Sequence, residues 1–378
     1  MQKTPLAHTL RATAAILLVA ALAACSSTPD KPKPADLPAN VALLGVRQAW
    51  VAKLGEVGFP LEVNVNGGTV ALATGNGTVL ALDARTGREL WRTAVGASLS
   101  AGVGSDGKVT AVVTRDNEVI ALESGKVLWR QRLGAQAYTA PLVAGGRVFV
   151  LAADRSVSAF DGQTGRKLWN QQRSGEALVL GQSSVLLAVG DTLVSGVSGR
   201  LVGMNPTNGS TRWEAPIAAP RGTNDVERLV DLVGRVSRVG DVVCARAFLS
   251  AVGCVDAARG RLLWTKPAQA SEGVHGNEQM VFGTESDGKV IAWRRENGEQ
   301  AWVSERLRYR SLSAPLAVGR SVAVGDGTGL VHFLSREDGS PLTRMATDGS
   351  AIVTAPVLAG DTVVVVTQNG GIYGFQPE

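Results

Sequence analysis

Histidine and cysteine are scarce in this chain of 378 residues, with three of each. The histidines are His8, His275 and His332, and no pair of them has the spacing of metal ligands. No nucleophile, histidine and carboxylate fall into a hydrolase arrangement either. A surplus of one charge is also missing, because 38 basic residues face 33 acidic ones. That bias is too weak to argue for a nucleic-acid partner. Long apolar runs are lacking. The conspicuous one, Ala12 to Ala21, is too short to span a bilayer.

What the chain has in quantity is glycine, 45 residues, together with a motif that recurs. Val79 to Asp83 reads as a strand, Thr86-Gly87 as a turn and Leu90-Trp91 as the start of the next strand. The same order returns with Gly125 and Trp129, Gly165 and Trp169, Gly209 and Trp213, Gly260 and Trp264, and Gly298 and Trp302. Trp50 lies one period earlier, and Thr343 stands where the next Trp is due. Successive Trp positions are 41, 38, 40, 44, 51 and 38 residues apart. A period of roughly 40 with several short strands per unit is the signature of propeller blades. Near-equivalent tryptophans around a ring cannot all face one ligand. Trp50, Trp91, Trp129, Trp169, Trp213, Trp264 and Trp302 therefore read as docking residues between blades.

The last unit supplies three strands and stops near Phe375, whereas Gln48 to Lys53 has no three strands before it. The expected fold is all-β, an eight-bladed β-propeller of four-stranded antiparallel blades. The N-terminal strand completes the last blade and so hides its edges. The expected domains are a signal peptide over 1–24, a lipidated Cys with a flexible tether over 25–45, and the propeller over 46–378.

That signal reading rests on Lys3 and Arg11, the apolar run, and Leu22-Ala23-Ala24-Cys25. The last four residues resemble the bacterial lipobox, which implies lipidation at Cys25; an ordinary cleavage site that happens to precede a Cys is the alternative. Ser26 in place of Asp implies the outer membrane. Losing residues 1–24 leaves 36 basic and 33 acidic residues, a net charge of +3. Thr28 to Pro38, with four prolines, reads as an extended and solvated stretch.

Two further features break the rhythm. The interval between Trp213 and Trp264 is about ten residues longer than the others, and the excess lies in Ala218 to Val233. Cys244 and Cys254 occupy core-facing positions on either side of a turn at Leu249. In an oxidising compartment they can pair, or they remain two buried thiols. Gly102 to Gly107 formally matches a dinucleotide fingerprint, but the strand Val109 to Val113 follows it where a helix would be needed.

The stretch Ala81 to Trp91 resembles the tryptophan-docking repeat of the pyrroloquinoline-quinone propeller superfamily. Two classes of it are relevant. Quinoprotein dehydrogenases carry an adjacent cysteine pair and long insertions, which this chain lacks. The propeller lipoproteins of the outer-membrane β-barrel assembly machinery combine a lipobox, a short tether and eight blades, and the resemblance to them covers the whole chain. It implies a non-enzymatic scaffold without a cofactor, lipid-anchored on the periplasmic face of the outer membrane. The scaffold would bind the POTRA domains of BamA and assist β-barrel proteins to fold and insert. Whether unfolded outer-membrane proteins are touched directly stays open. The alternatives are a periplasmic quinoprotein-type dehydrogenase and a general propeller interaction scaffold. By the same resemblance the partner-binding residues are Leu178, Leu180 and Gln182 on one loop and Arg228, Leu229 and Asp231 on the next. Leu180 stands where an Arg is often found, and Val233 replaces an acidic residue.

Overall fold

The computed structural model describes residues 32–55, 57, 62–175 and 178–378. The chain divides into two units, 1–34 and 35–378. The signal segment and Cys25 lie outside the described residues.

The second unit is a ring of eight four-stranded antiparallel sheets. Blade 1 spans residues 64–94, blade 2 spans 104–132, blade 3 spans 142–171 and blade 4 spans 186–216. Blade 5 spans 232–267, blade 6 spans 274–304 and blade 7 spans 316–346. Blade 8 takes three strands from 357–377 and its outermost strand, Val46–Lys53, from the other end of the chain. Val46 pairs with Pro377 and Lys53 with Gly371, so the ring closes through an antiparallel ladder. The second and third strands of each blade are buried almost throughout, and their Val, Leu and Ala side chains pack between neighbouring blades.

Each docking tryptophan sits on the turn of the following blade. Trp129 donates its Nε1–H to the carbonyl of Gly162 at 2.9 Å. Its ring also lies against Gly165, where an added Cβ would come within 2.6 Å of the indole. That glycine has φ 72°. One residue thus turns the chain and makes room for the neighbour's ring. The same arrangement joins Trp50 to Ala84 and Gly87, Trp169 to Pro206 and Gly209, Trp264 to Arg295 and Gly298, and Trp302 to Arg336 and Gly339. Trp91 and Trp213 lie on Gly125 and Gly260. The Nε1 of Trp213 is buried without a hydrogen-bond partner.

The missing tryptophan at Thr343 now has a physical reason. Its docking turn would belong to blade 8, between that blade's third and fourth strands. There the strand that starts at Val46 meets the strand that ends at Pro377, and no turn joins them. A strap occupies the outer edge instead. Leu43 N–H donates to the Leu342 carbonyl at 2.6 Å, and Asn40 donates to the Arg344 carbonyl at 3.1 Å. Arg310, Arg320 and Arg344 donate to the carbonyls of Ala35, Leu43 and Pro38 at 3.0, 2.5 and 3.1 Å. Composition alone reads a flexible tether through residue 45, whereas residues 35–44 are docked on blade 7. Prolines supply no ladder donors, but their carbonyls remain good acceptors for arginine.

Cys244 and Cys254 are cross-strand partners in blade 5, with Cα atoms 3.9 Å apart, and a disulfide joins them. Both are fully buried. His332 is buried too, and its Nε2 lies 2.9 Å from Asp326, which also accepts from Arg310 at 2.8 Å.

Candidate partner-binding site

The connections between blades gather at the poles of the ring, and two of them depart from the repeat. The blade 3–4 connection covers residues 172–185. Its described residues, 172–175 and 178–185, form no strand or helix, and the first strand of blade 4 begins only at Leu186. The apolar run Leu178 to Leu180 is therefore on a loop and not in an inner strand. Leu178 is 38% exposed and Leu180 is half-buried.

The blade 4–5 connection covers 217–231 and contains one hydrogen-bonded turn at 225–228. Asn224 caps it by accepting the Glu227 N–H on its side chain at 2.9 Å and the Arg228 N–H on its carbonyl at 3.1 Å. Glu227 reciprocates by accepting the Thr223 N–H at 2.9 Å. That bond holds the Glu227 carboxyl below its usual range. The turn presents Val226 to solvent at 72% exposure, with Arg228 and Leu229 half-buried behind it.

Asp231 joins the loops. Its Oδ2 accepts the Leu180 N–H at 3.0 Å, across 51 residues of sequence. Its carbonyl accepts the Phe248 N–H at 2.9 Å. Gln182 reaches the Ser271 carbonyl at 3.4 Å. Leu178, Leu180, Gln182, Arg228, Leu229 and Asp231 are thereby carried on two loops bonded to each other. A cavity of about 50 Å³ lies beneath them, lined by Leu180, Asp231, Arg155 and Ser198 among others.

Sequence reading misses Arg155. Its Nη2 donates to the Leu178 carbonyl at 3.2 Å and its Nε to Ser198 Oγ at 3.0 Å. It sits at φ 63° in the turn between the second and third strands of blade 3. Four other blades use Gly77, Gly288, Gly329 and Gly370 at this turn position. A large side chain where the repeat supplies glycine was the available signal.

The loops stand over a central channel of about 1,100 Å³ whose walls include Glu62, Ser183, Arg235, Glu272 and His275. Burial pushes the Glu62 and Glu272 carboxyls up and lowers Arg235 to about 10. Burial, reinforced by Arg235 and Arg295, lowers His275 to about 3. Among the described residues no group of three or more His, Cys, Asp or Glu is placed to hold a metal ion.

A family profile described as outer membrane protein assembly factor BamB matches residues 48–304 and 308–378. The chain is 41% identical to the outer membrane protein assembly factor BamB of Burkholderia pseudomallei over 371 residues, 97% of either chain. It is 37% identical to that of Bordetella pertussis, over 93% of each. The crystal structure of BamB from Moraxella catarrhalis superposes with a TM-score of 0.79 at 22% identity, covering 88% of this chain and 99% of that one. The quinohemoprotein alcohol dehydrogenase of Comamonas testosteroni gives 0.70 at 14% identity, covering 89% and 77%. At that distance the likeness is one of fold alone.

Proposed function

The chain belongs to the BamB family of outer membrane protein assembly factors, and we propose that it works there as a non-enzymatic scaffold which docks on the periplasmic POTRA domains of BamA. Its role is in outer-membrane protein assembly. The observation that carries this reading is the family match across nearly all of the propeller, both loops of the candidate site included.

The docking surface is the pair of loops joined by Leu180 and Asp231. Val226, Leu229 and Leu178 give it apolar area, while Arg228, Asp231 and Gln182 surround that area with polar groups. An apolar centre with a polar rim is the composition of a small interface anchor. Lipidation at Cys25 would hold the propeller on the periplasmic face of the outer membrane. Several acyl chains on one Cys anchor stably where a single chain does not.

The test is binding of purified propeller to the BamA periplasmic domains. Leu229→Ala with Asp231→Ala should leave melting nearly unchanged. It should weaken binding by about 2 kcal/mol or more, the hot-spot scale. Full-strength binding by a folded double variant removes this patch from the reading. Cys25→Ala should shift the protein into the soluble periplasmic fraction.

A further inference from the structure

We propose that Glu62 is a positioning residue for the two partner-binding loops, a carboxylate strut that fixes the point where both rejoin the ring. The proposal rests on the partner reading above.

Glu62 lies in none of the blades that carry the loops. It precedes Asn64, the first strand residue of blade 1, on the connection from the closing strand. Its carboxylate nevertheless reaches the connections that lead into blades 3 and 4 and the first strand of blade 5. Ser183 Oγ donates to its Oε1, and the backbone of Ala140 bonds it as well. The guanidinium of Arg235 supplies the opposite charge. Two glycines make the room. A Cβ on Gly234 would stand 2.8 Å from Glu62 Oε1, and one on Gly102 would stand 2.6 Å from the Glu62 carbonyl. A Cβ at either position would force Glu62 to shift, its side chain at Gly234 and its backbone at Gly102.

The contact falls at an informative place. Gly234 N–H donates to the Ser183 carbonyl at 2.9 Å, and Ser184 Oγ donates to the Leu232 carbonyl at 2.8 Å. Three residues before that pair, Leu180 N–H donates to Asp231. The two loops are therefore stapled at 180–231 and again at 183–234, and Glu62 lies against both members of the second staple. Arg235 continues the line by donating to the Pro356 carbonyl at the start of blade 8. A half-buried carboxylate is an expensive filler for a channel wall that apolar side chains could line. What it supplies is direction. Its oxygens accept from one hydroxyl and one backbone donor, which sets the register of one loop against the other.

The experiment is hydrogen exchange on the folded propeller, paired with binding to the BamA periplasmic domains. In Glu62→Ala, amides of 178–184 and 229–235 should exchange about ten-fold faster, the scale of one hydrogen bond to a charged group. Exchange in the Trp-docked strands should not change. Affinity should fall by about the same factor while the melting temperature holds. Glu62→Gln keeps an acceptor for Ser183 and should recover most of both effects. If Glu62→Ala does not fold, Ser183→Ala removes only the hydroxyl donor and should give the same local pattern. Unchanged loop exchange, or faster exchange spread evenly around the ring, overturns the proposal. A wild-type propeller that fails to bind BamA overturns the partner reading instead, and the loop exchange still decides the role of Glu62.

Discussion

The outer wall of the ring and the loop pole over blades 3 to 5 are held together differently. The wall repeats one contact, an indole on a turn glycine with its N–H on a nearby carbonyl. The pole uses bonds that occur once, such as Leu180 to Asp231 and Arg155 to Leu178. A repeated apolar contact gives stability that tolerates the loss of detail anywhere else in the ring. Single polar contacts add little to stability but set geometry, which is what a binding surface needs. Substitutions in the wall should therefore register in melting, and substitutions at the pole in binding.

The largest effect should come from the wall. Trp129→Ala removes a buried ring and its hydrogen bond, and unfolding free energy should drop by about 3–5 kcal/mol. Trp213 makes the same glycine contact but leaves its N–H unpaired. Trp213→Ala should cost less than Trp129→Ala by about 1 kcal/mol, the worth of one hydrogen bond. Denaturant titration of the two variants decides this, and equal losses would mean that the indole N–H contributes nothing to docking.

Next comes the bond between Cys244 and Cys254, which closes a loop of separation 10. Replacing both by Ser or Ala should cost about 2–3 kcal/mol on the chain-entropy estimate. Alkylation without reduction, followed by mass measurement, should find both residues unmodified. Two alkylated residues would show that the pair is reduced in the isolated protein.

Arg155→Gly gives the two regions opposite signs. It relieves a positive φ, worth about 1 kcal/mol, and so should leave melting unchanged or slightly raised. It also frees the Leu178 carbonyl, and affinity for the BamA periplasmic domains should fall several-fold. Lower stability with normal binding would place Arg155 with the wall.

The smallest effect at neutral pH is that of His275, which shows itself only in acid. His275 accepts the Ala317 N–H on Nδ1 at 3.0 Å, and burial lowers its pKa to about 3 from the ordinary 6.5. The unfolded chain then binds the extra proton first. This residue's share of stability is present above about pH 6.5 and is lost as pH falls towards about 3. His275→Gln keeps an acceptor, so it should flatten that part of the pH profile with little change at neutral pH.

The phased Trp and Gly residues announced eight blades, because seven docking rings and seven turn glycines with positive φ recur at the same two places in the repeat, and the vacant place of each falls where the ring closes. Closure by Gln48 to Lys53 was legible for a related reason, since a blade short by one strand has an unpaired edge. The loops were visible as departures from the period. Their joining was not. Leu180 and Asp231 are 51 residues apart in sequence, and no local pattern brings such a pair within hydrogen-bond distance. Glu62 and Ser183 are 121 residues apart, and they meet only because the ring has closed. Local chemistry repeats along the chain and can be read there. Contacts across a channel depend on where eight blades come to rest, and packing alone decided those.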